Sequence, residues 1–297
     1  MKTAILTPKP SDNEVQILIK EFQKRDVNVK SIIPGKISIS VEIKTEKTEK
    51  SAEFLTKLFE DIEPKAAMVR GFGADDTQKI FFRLDILRML ELMGIRLINS
   101  RESLELATDK LLTSFLLEKS KIPTLKTIVC ENPEDALEAF EILGGDVVLK
   151  PVFGSKGIGI TRLNERGFAE NVIYKISQLN EIIYLQEFVS HFNRDIRVLV
   201  LGDNAIAGMY RVGSSWKTNI HAGAQPKPLK LSEELKDLSI RAAHATKTEI
   251  AGVDLLETEK GLRVIEVNSI PGFTALQKVS EVNLAEKIVD YYLNQIK

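Results

Sequence analysis

Hydrophobic positions along the chain recur with two periods, one of strands and one of helices, and they take turns. Residues 3–7 form a short apolar run closed by Pro8 and Pro10, and residues 13–23 follow with Val15, Leu18, Ile19 and Phe22 at helical spacing. Residues 29–33 and 38–43 read as short strands, and residues 66–73, AAMVRGFG, as a buried strand ending in a glycine turn. A helix is predicted over residues 77–92, with Ile80, Leu84, Leu87 and Met89 apolar and Arg83 and Arg88 polar; Gly94 stops it and Leu97 and Ile98 begin another strand. Strands alternating with helices over the first ~100 residues predict a small open α/β domain.

The texture changes over residues 99–108, after which Asp109 is placed to cap a helix starting at Lys110, bounded by Pro123. Residues 132–145 carry a full set of helix signals: Asn132 as cap, Pro133 at the first position, Glu134 and Asp135 in the first turn, and Gly144 and Gly145 at the stop. A strand at residues 147–150, the glycine-rich segment PVFGSKGIGI, a helix over residues 168–176 and a strand at residues 182–189 predict a compact second subdomain. Residues 195–201 and 205–212, joined through Gly202, Asp203 and Asn204, read as a hairpin. A polar loop over residues 213–225, a helix from Ser232 through Thr248 and a closing amphipathic helix over residues 284–296 complete the pattern. The predicted division is residues 1–100, 101–185 and 186–297, and the fold class is α/β with α+β subdomains.

Residues 253–268, VDLLETEKGLRVIEVN, stand apart because acids occupy strand positions. Val253 and Leu255 alternate with Asp254 and Leu256, and Ile265 and Val267 with Val264, Glu266 and Asn268, so one side is expected to be core and the other to be kept for chemistry. Closed through an odd-numbered loop centred near Lys260, the hairpin sets Asp254 opposite Glu266, a like-charge pair that calls for a cation between them. Two carboxylates with the amide oxygen of Asn268 make a hard donor set suited to Mg²⁺. A solvated surface hairpin would explain the acids but not the apolar residues around them. Residues 269–274, with Pro271 and Gly272, form a turn after it.

Composition narrows the function classes. The chain has 297 residues, more than one core usually organises, so two or three subdomains are expected. A formal net charge of −1 provides no electrostatic reason to expect nucleic acid or a membrane as partner. A single cysteine, Cys130, fits a reducing compartment, and His191, His221 and His244 lack zinc-ligand spacing. With no signal-like or membrane-spanning apolar run, a cytoplasmic protein is the expectation, and assembly into a homo-oligomer stays open.

Lys150 ends the strand VVLKP shortly before the loop at residues 154–159, whose Ser155 and Gly157 can bring backbone N–H groups to phosphate oxygens. The spacing is not that of a P-loop; a plain turn with an exposed Lys156 is the competing reading, and it is Lys150 together with the later acids that favours phosphate. Gly71 and Gly73 fail the dinucleotide fingerprint because its third position is Asp76, and the run at residues 44–50 reads as a solvated face. Glu187 and Phe188, at the end of an apolar strand, could hold an adenine ring and a ribose hydroxyl, or be a core strand end with an exposed acid. Arg197 and Arg211 lie beside apolar neighbours, with phosphate or carboxylate ligands and ordinary salt bridges as equal alternatives. No Ser/His/Asp or Cys/His constellation is present.

These landmarks occur in an order that resembles a family. VRGFG, DK at Asp109 and Lys110, VLKP, GSKGIGI, QEFV, RDIRVLVLGD, KTN, AGVDLL and EVNSIPG together are similar to the ATP-grasp carboxylate–amine ligases, specifically the RimK-like glutamate ligases, over the chain after about residue 65. The resemblance implies an N-terminal pre-ATP-grasp domain (residues 1–100), a central ATP-grasp subdomain (101–185) and a C-terminal one with the metal site (186–297). It implies that Lys110 and Lys150 contact ATP phosphates, that Ser155 and Gly157 lie on the phosphate loop, and that Glu187 with Phe188 holds adenine. Asp195 would bind ribose or nearby nucleotide atoms, Lys217, Thr218 and Asn219 would line the phosphate site, and Asp254, Glu266 and Asn268 would bind Mg²⁺, with Mn²⁺ as an alternative ion. Arg211, with Lys150, would act on the transferred phosphate. The chain has Arg211–Val212 and Lys217–Thr218–Asn219 where RimK itself has Arg-Arg and Arg-Ser-Asn. The implied reaction is ATP-dependent addition of L-glutamate to an acceptor carboxylate through an acyl phosphate. The resemblance is greater to the archaeal branch acting on tetrahydromethanopterin or the deazaflavin coenzyme than to the ribosomal-protein branch; ligases using an amino-group carrier protein, and a non-catalytic ATP-binding regulator, are the alternatives.

Overall fold

The computed structural model describes residues 2–39, 64–73, 77–151, 159–220 and 223–296. The end of the predicted strand at 38–43, the run at 44–50, Asp76, Ser155, Lys156, Gly157 and His221 lie outside the described residues. The chain divides into two compact units: Met1–Leu104 with Gly272–Thr274 and Asn283–Lys297, and Glu105–Pro271 with Ala275–Val282.

The first unit follows the predicted alternation. β1 (Lys2–Leu6), α1 (Asn13–Gln23), β2 (Asn28–Ile32), β3 (Ala66–Val69), α2 (Thr77–Leu92) and β4 (Arg96–Ile98) build a parallel sheet in the order β2-β1-β3-β4. Asp12 caps α1 by accepting the Glu14 N–H, and Val15, Leu18 and Phe22 turn inward from it. Gly71 and Gly73 both have positive φ and lie against Pro8; a Cβ on Gly71 would come within 2.9 Å of the Pro8 ring. Close packing of two loops is therefore what these glycines serve.

The second unit opens near α3 (Arg101–Thr108), in the segment without a clear period. α4 (Lys110–Lys119), capped by Asp109 as expected, leads to β5 (Thr127–Cys130), α5 (Pro133–Ile142), β6 (Val147–Lys150), β7 (Thr161–Leu163), α6 (Arg166–Ser177) and β8 (Ile183–Glu187). Their strands pair antiparallel in the order β5-β8-β6-β7 over a core that includes Ala136, Phe140, Leu149, Ile173 and Leu185. β9 (Arg194–Leu201), β10 (Asn204–Val212), β11 (Gln225–Leu229), α7 (Glu233–Ala245), β12 (Ile250–Thr258) and β13 (Gly261–Asn268) follow. They form an antiparallel sheet in the order β11-β10-β9-β12-β13. Helix α7, capped by Ser232, ends at Ala245, three residues before the predicted stop. One face of this sheet is apolar and packs Ile196, Val198, Val253, Leu255 and Val267 with Leu235, Leu238 and Ala242 of α7.

The last helix, α8 (Leu284–Gln295), belongs to the first unit, where Tyr292 meets Phe22 edge-on and hydrogen-bonds the Thr3 hydroxyl. No described helix is long and apolar enough to cross a membrane.

Candidate active site

The acidic hairpin reaches the expected pairing by a different route. Asp254 stands directly opposite Glu266, but Thr258 pairs with Gly261, so the loop contains two residues and not an odd number. An even loop alone would set Asp254 across from the wrong neighbour; a β-bulge between the Asp254–Glu266 and Leu255–Val264 pairs restores the match by leaving Ile265 unpaired. The bulge also corrects the predicted faces. Val264 and Val267 are fully buried and enter the core, whereas Ile265 is only half-buried. Next to it the Val264 backbone finds partners outside the hairpin: its N–H donates to the Pro123 carbonyl at 2.8 Å, and the Thr124 hydroxyl donates to the Val264 carbonyl at 2.8 Å.

On the face of the sheet turned away from α7, charges meet across strands. Asp195 on β9 lies opposite Arg211 on β10, and Arg197 on β9 opposite Asp254 on β12. Arg211 donates through Nε and Nη2 to the two Asp195 oxygens at 2.6 and 2.7 Å, and its Nη2 lies 3.0 Å from Asp254 Oδ2. Arg197 grips both Asp254 oxygens, Nη2 to Oδ2 at 2.8 Å. Its guanidinium reaches there over Gly252, where a Cβ would sit 2.9 Å from Arg197 Nη1 and 2.8 Å from Pro271 Cβ. Burial works to raise the Asp254 carboxyl, but Arg197 and Arg211 outweigh it and hold the group below the usual carboxylate range. Burial works in the opposite sense on Arg211, and Asp254 and Asp195 overcome it and raise that guanidinium further. The cation that the sequence demanded beside Asp254 is thus supplied, in this state, by two arginines.

Glu266, next along the sheet, faces two lysines electrostatically. Lys110 opens α4 and Lys150 ends β6, and both are drawn toward the charged form by Glu266 while burial lowers them. For Lys150 burial is the largest influence; Glu266 opposes it, Lys110 adds to it, Asp254 opposes, and the ammonium comes to about 8. Lys150 Nζ donates to Gln186 Oε1 at 2.6 Å, and Gln186 is oriented in turn by donating to Thr127 Oγ1 at 3.0 Å. A lysine that titrates near 8 attracts phosphate below that pH and loses the attraction above it. Accordingly, kcat/KM for ATP is expected to fall about tenfold per pH unit above about pH 8, and Lys150→Arg to remove the break. An unbroken wild-type profile up to about pH 10 would show that Lys150 stays charged throughout that range, as an ordinary lysine does.

Next to Gln186, at the C-terminal end of β8, the Glu187 carboxylate accepts the Lys126 N–H at 2.9 Å. Phe188 is enclosed: the Arg162 guanidinium, itself held by Asp146 through two bonds, lies 3.5 Å above its ring centre, and Trp216 meets it edge-on. Neither Arg162 nor Trp216 is legible in the sequence as a neighbour of Phe188, because one arrives from β7 and the other from the loop after β10. That loop is tight at Gly213, where a Cβ would come within 2.6 Å of the Lys217 carbonyl, and it carries Lys217, Thr218 and Asn219. Thr218 is buried and its hydroxyl donates to Asp195 Oδ2 at 2.6 Å.

The residues suit a hard divalent ion. Asp254 and Glu266 are cross-strand partners, and Asn268, two residues on, donates to the Gly252 carbonyl at 3.1 Å with its amide 3.5 Å from Asp254 Oδ2. A carboxylate has about four lone-pair sites, so Asp254 can retain its guanidinium partners and still serve a cation, while Asn268 must turn its amide oxygen inward. Among the described residues no group of three His, Cys, Asp or Glu forms a metal cluster. All the described candidates, Lys110, Lys150, Glu187, Phe188, Asp195, Arg211, Lys217, Thr218, Asn219, Asp254, Glu266 and Asn268, fall in the second compact unit.

The family model of the RimK-like ATP-grasp domain matches residues 107–292. The tetrahydromethanopterin:alpha-L-glutamate ligase of Methanococcus maripaludis is 38% identical over 291 residues, covering 94% of this chain and 94% of that protein. The tetrahydromethanopterin:alpha-L-glutamate ligase of Methanocaldococcus jannaschii is 36% identical over 312 residues, covering 100% of each. Among solved structures, the ATP-grasp ligase PsnB complexed with minimal precursor, Mg and ADP superposes with a TM-score of 0.73 at 18% identity, covering 99% of this chain and 98% of that one.

Proposed function

The chain belongs to the RimK-like ATP-grasp family and is an ATP-dependent ligase, and from that premise we propose that it adds L-glutamate in α-linkage to a carboxylate of a tetrahydromethanopterin-type coenzyme. What supports the acceptor is the end-to-end similarity to two tetrahydromethanopterin:alpha-L-glutamate ligases, which extends through both compact units. ATP-grasp ligases use ATP and Mg²⁺. We place the reaction in the cytoplasm and expect Mn²⁺ to replace Mg²⁺.

In this reading the γ-phosphoryl group passes to the acceptor carboxylate with release of ADP, and the glutamate amine then attacks the acyl carbon, loses a proton and expels phosphate. A bound divalent ion supplies charge neutralisation along the phosphates. Asp254, Glu266 and Asn268 hold that ion, and Lys110 and Lys150 bind phosphate oxygens from α4 and β6. Arg211, fixed in the sheet by Asp195 and Asp254, neutralises the transferred phosphoryl group. Glu187, Phe188 and the loop residues Lys217, Thr218 and Asn219 position the nucleotide. Orientation and exclusion of water do the remainder, since an acyl phosphate must meet an amine before it meets water.

Incubation with ATP, Mg²⁺, L-glutamate and a panel of acceptors tests the proposal by mass spectrometry of the product. The pterin coenzyme is expected to gain glutamyl mass with stoichiometric ADP release. Glutamylation of a deazaflavin coenzyme, a carrier protein or a ribosomal-protein tail in its place would overturn the acceptor assignment, and ADP release with no acceptor would overturn the ligase chemistry.

A further inference from the structure

The buried carboxylate of Asp195 lies where two parts of the site meet. It is 3% exposed, and its oxygens accept three short bonds, from Arg211 Nε and Nη2 and from the Thr218 hydroxyl at 2.6 Å. Arg211 comes from β10, whereas Thr218 comes from the loop that follows it, with Lys217 and Asn219 on either side. We propose that Asp195 is a positioning residue that fixes the Arg211 guanidinium and seats the loop carrying Lys217, Thr218 and Asn219 against the same point.

The chemistry requires a carboxylate there. A guanidinium fork needs two parallel acceptors, and Asp195 provides both while its Oδ2 also receives the hydroxyl proton. Asparagine has the shape but offers one acceptor and turns an N–H toward a donor. The fork also sets direction: Asp195 engages Nε and Nη2 of Arg211, and Nη1 takes part in neither bond. That leaves Nη1 as the donor to present to a phosphoryl oxygen. Three of the carboxylate's about four lone-pair sites are thus taken by the protein's own donors before any nucleotide arrives, so its first service is to the site itself.

The loop contains its own reporter, because Trp216 is the single tryptophan of the chain and lies two residues from Thr218. The experiment uses the whole protein, without and with ATP. Thr218→Val keeps the shape and removes the hydroxyl; it is expected to red-shift Trp216 emission, increase acrylamide quenching and raise KM for ATP about tenfold, while Thr218→Ser keeps emission and quenching near wild type. Asp195→Asn, on β9 and distant from Trp216 in the chain, is expected to shift the same emission and in addition to lower kcat, and combining it with Thr218→Val should produce no further emission shift. Unchanged Trp216 emission and KM in Thr218→Val would overturn the proposal, as would an Asp195→Asn protein that loses kcat with wild-type emission. Should Asp195→Asn fail to fold, the Thr218 pair decides alone. The inference rests on the ligase reading for Arg211, but the emission arm does not: an inactive protein whose Trp216 responds as expected would sink the reaction and retain the positioning role.

Discussion

Glu266→Gln is expected to lower acceptor-dependent ADP release by about a thousandfold while melting close to the wild-type temperature. The separation of the two effects comes from where the residue stands. Glu266 lies on β13, at one end of the sheet order, and is half-buried, so an amide of the same shape can stay there, and a lysine left with less opposing charge can release its proton as an arginine cannot. What the substitution removes is a negative charge facing Lys110 and Lys150 and one of two carboxylates available to a divalent ion. A second signature follows from the sign of its influence. Glu266 raises both lysines toward the charged form, so its loss should move the Lys150-dependent break in kcat/KM for ATP to lower pH. Steady-state ADP assays across pH, together with a thermal melt, check both. Turnover within about tenfold of wild type, with no movement of the break, would remove Glu266 from the site.

How far the site could be read from the sequence depended on how local its causes were. Caps and stops around α4 and α5 were legible because each is fixed by a few adjacent residues. The Asp254–Glu266 pairing was reached from a wrong premise: alternation alone cannot reveal a bulge, and the bulge at Ile265 depends on Pro123 and Thr124, more than 130 positions away in the sequence. Strand β11 went unread because Pro226 and Pro228 argue against a strand, yet at the edge of the sheet the missing N–H groups need no partner. The short β5 was hidden between clearer signals. Arg197 and Arg211 were recognised as wanting an anion, but which anion was a tertiary fact. The sheet supplies it by setting β9 between β10 and β12, so that Arg211 on β10 meets Asp195 on β9 and Arg197 on β9 meets Asp254 on β12.

That arrangement gives Asp254 a structural part beside the metal ligation proposed for it, and it makes Asp254→Ala the more disruptive of the two acidic substitutions. Both oxygens of this 2% exposed carboxylate engage guanidiniums, so deletion leaves Arg197 and Arg211 buried with less opposing charge. Removing one partner of such a pair costs about 3–5 kcal/mol, which for a unit of this size corresponds to a fall in Tm of about 10 °C, in addition to loss of ADP formation. The effect also has a pH sign. Because the folded-state pKa is held below the ordinary carboxylate value, the stabilisation is complete above about pH 4 and is lost as pH falls through the folded value. The gap in Tm between wild type and Asp254→Ala should therefore narrow in acid. Adding Arg197→Met removes one of the stranded charges and should recover about half of the lost stability with none of the activity, because an apolar side chain relieves the buried cation but cannot hold a metal ion. Equal melting temperatures for wild type and Asp254→Ala would show that the arginine pairs contribute nothing to the fold. Recovery of ADP formation in the double variant would show that the acid is needed only to neutralise Arg197.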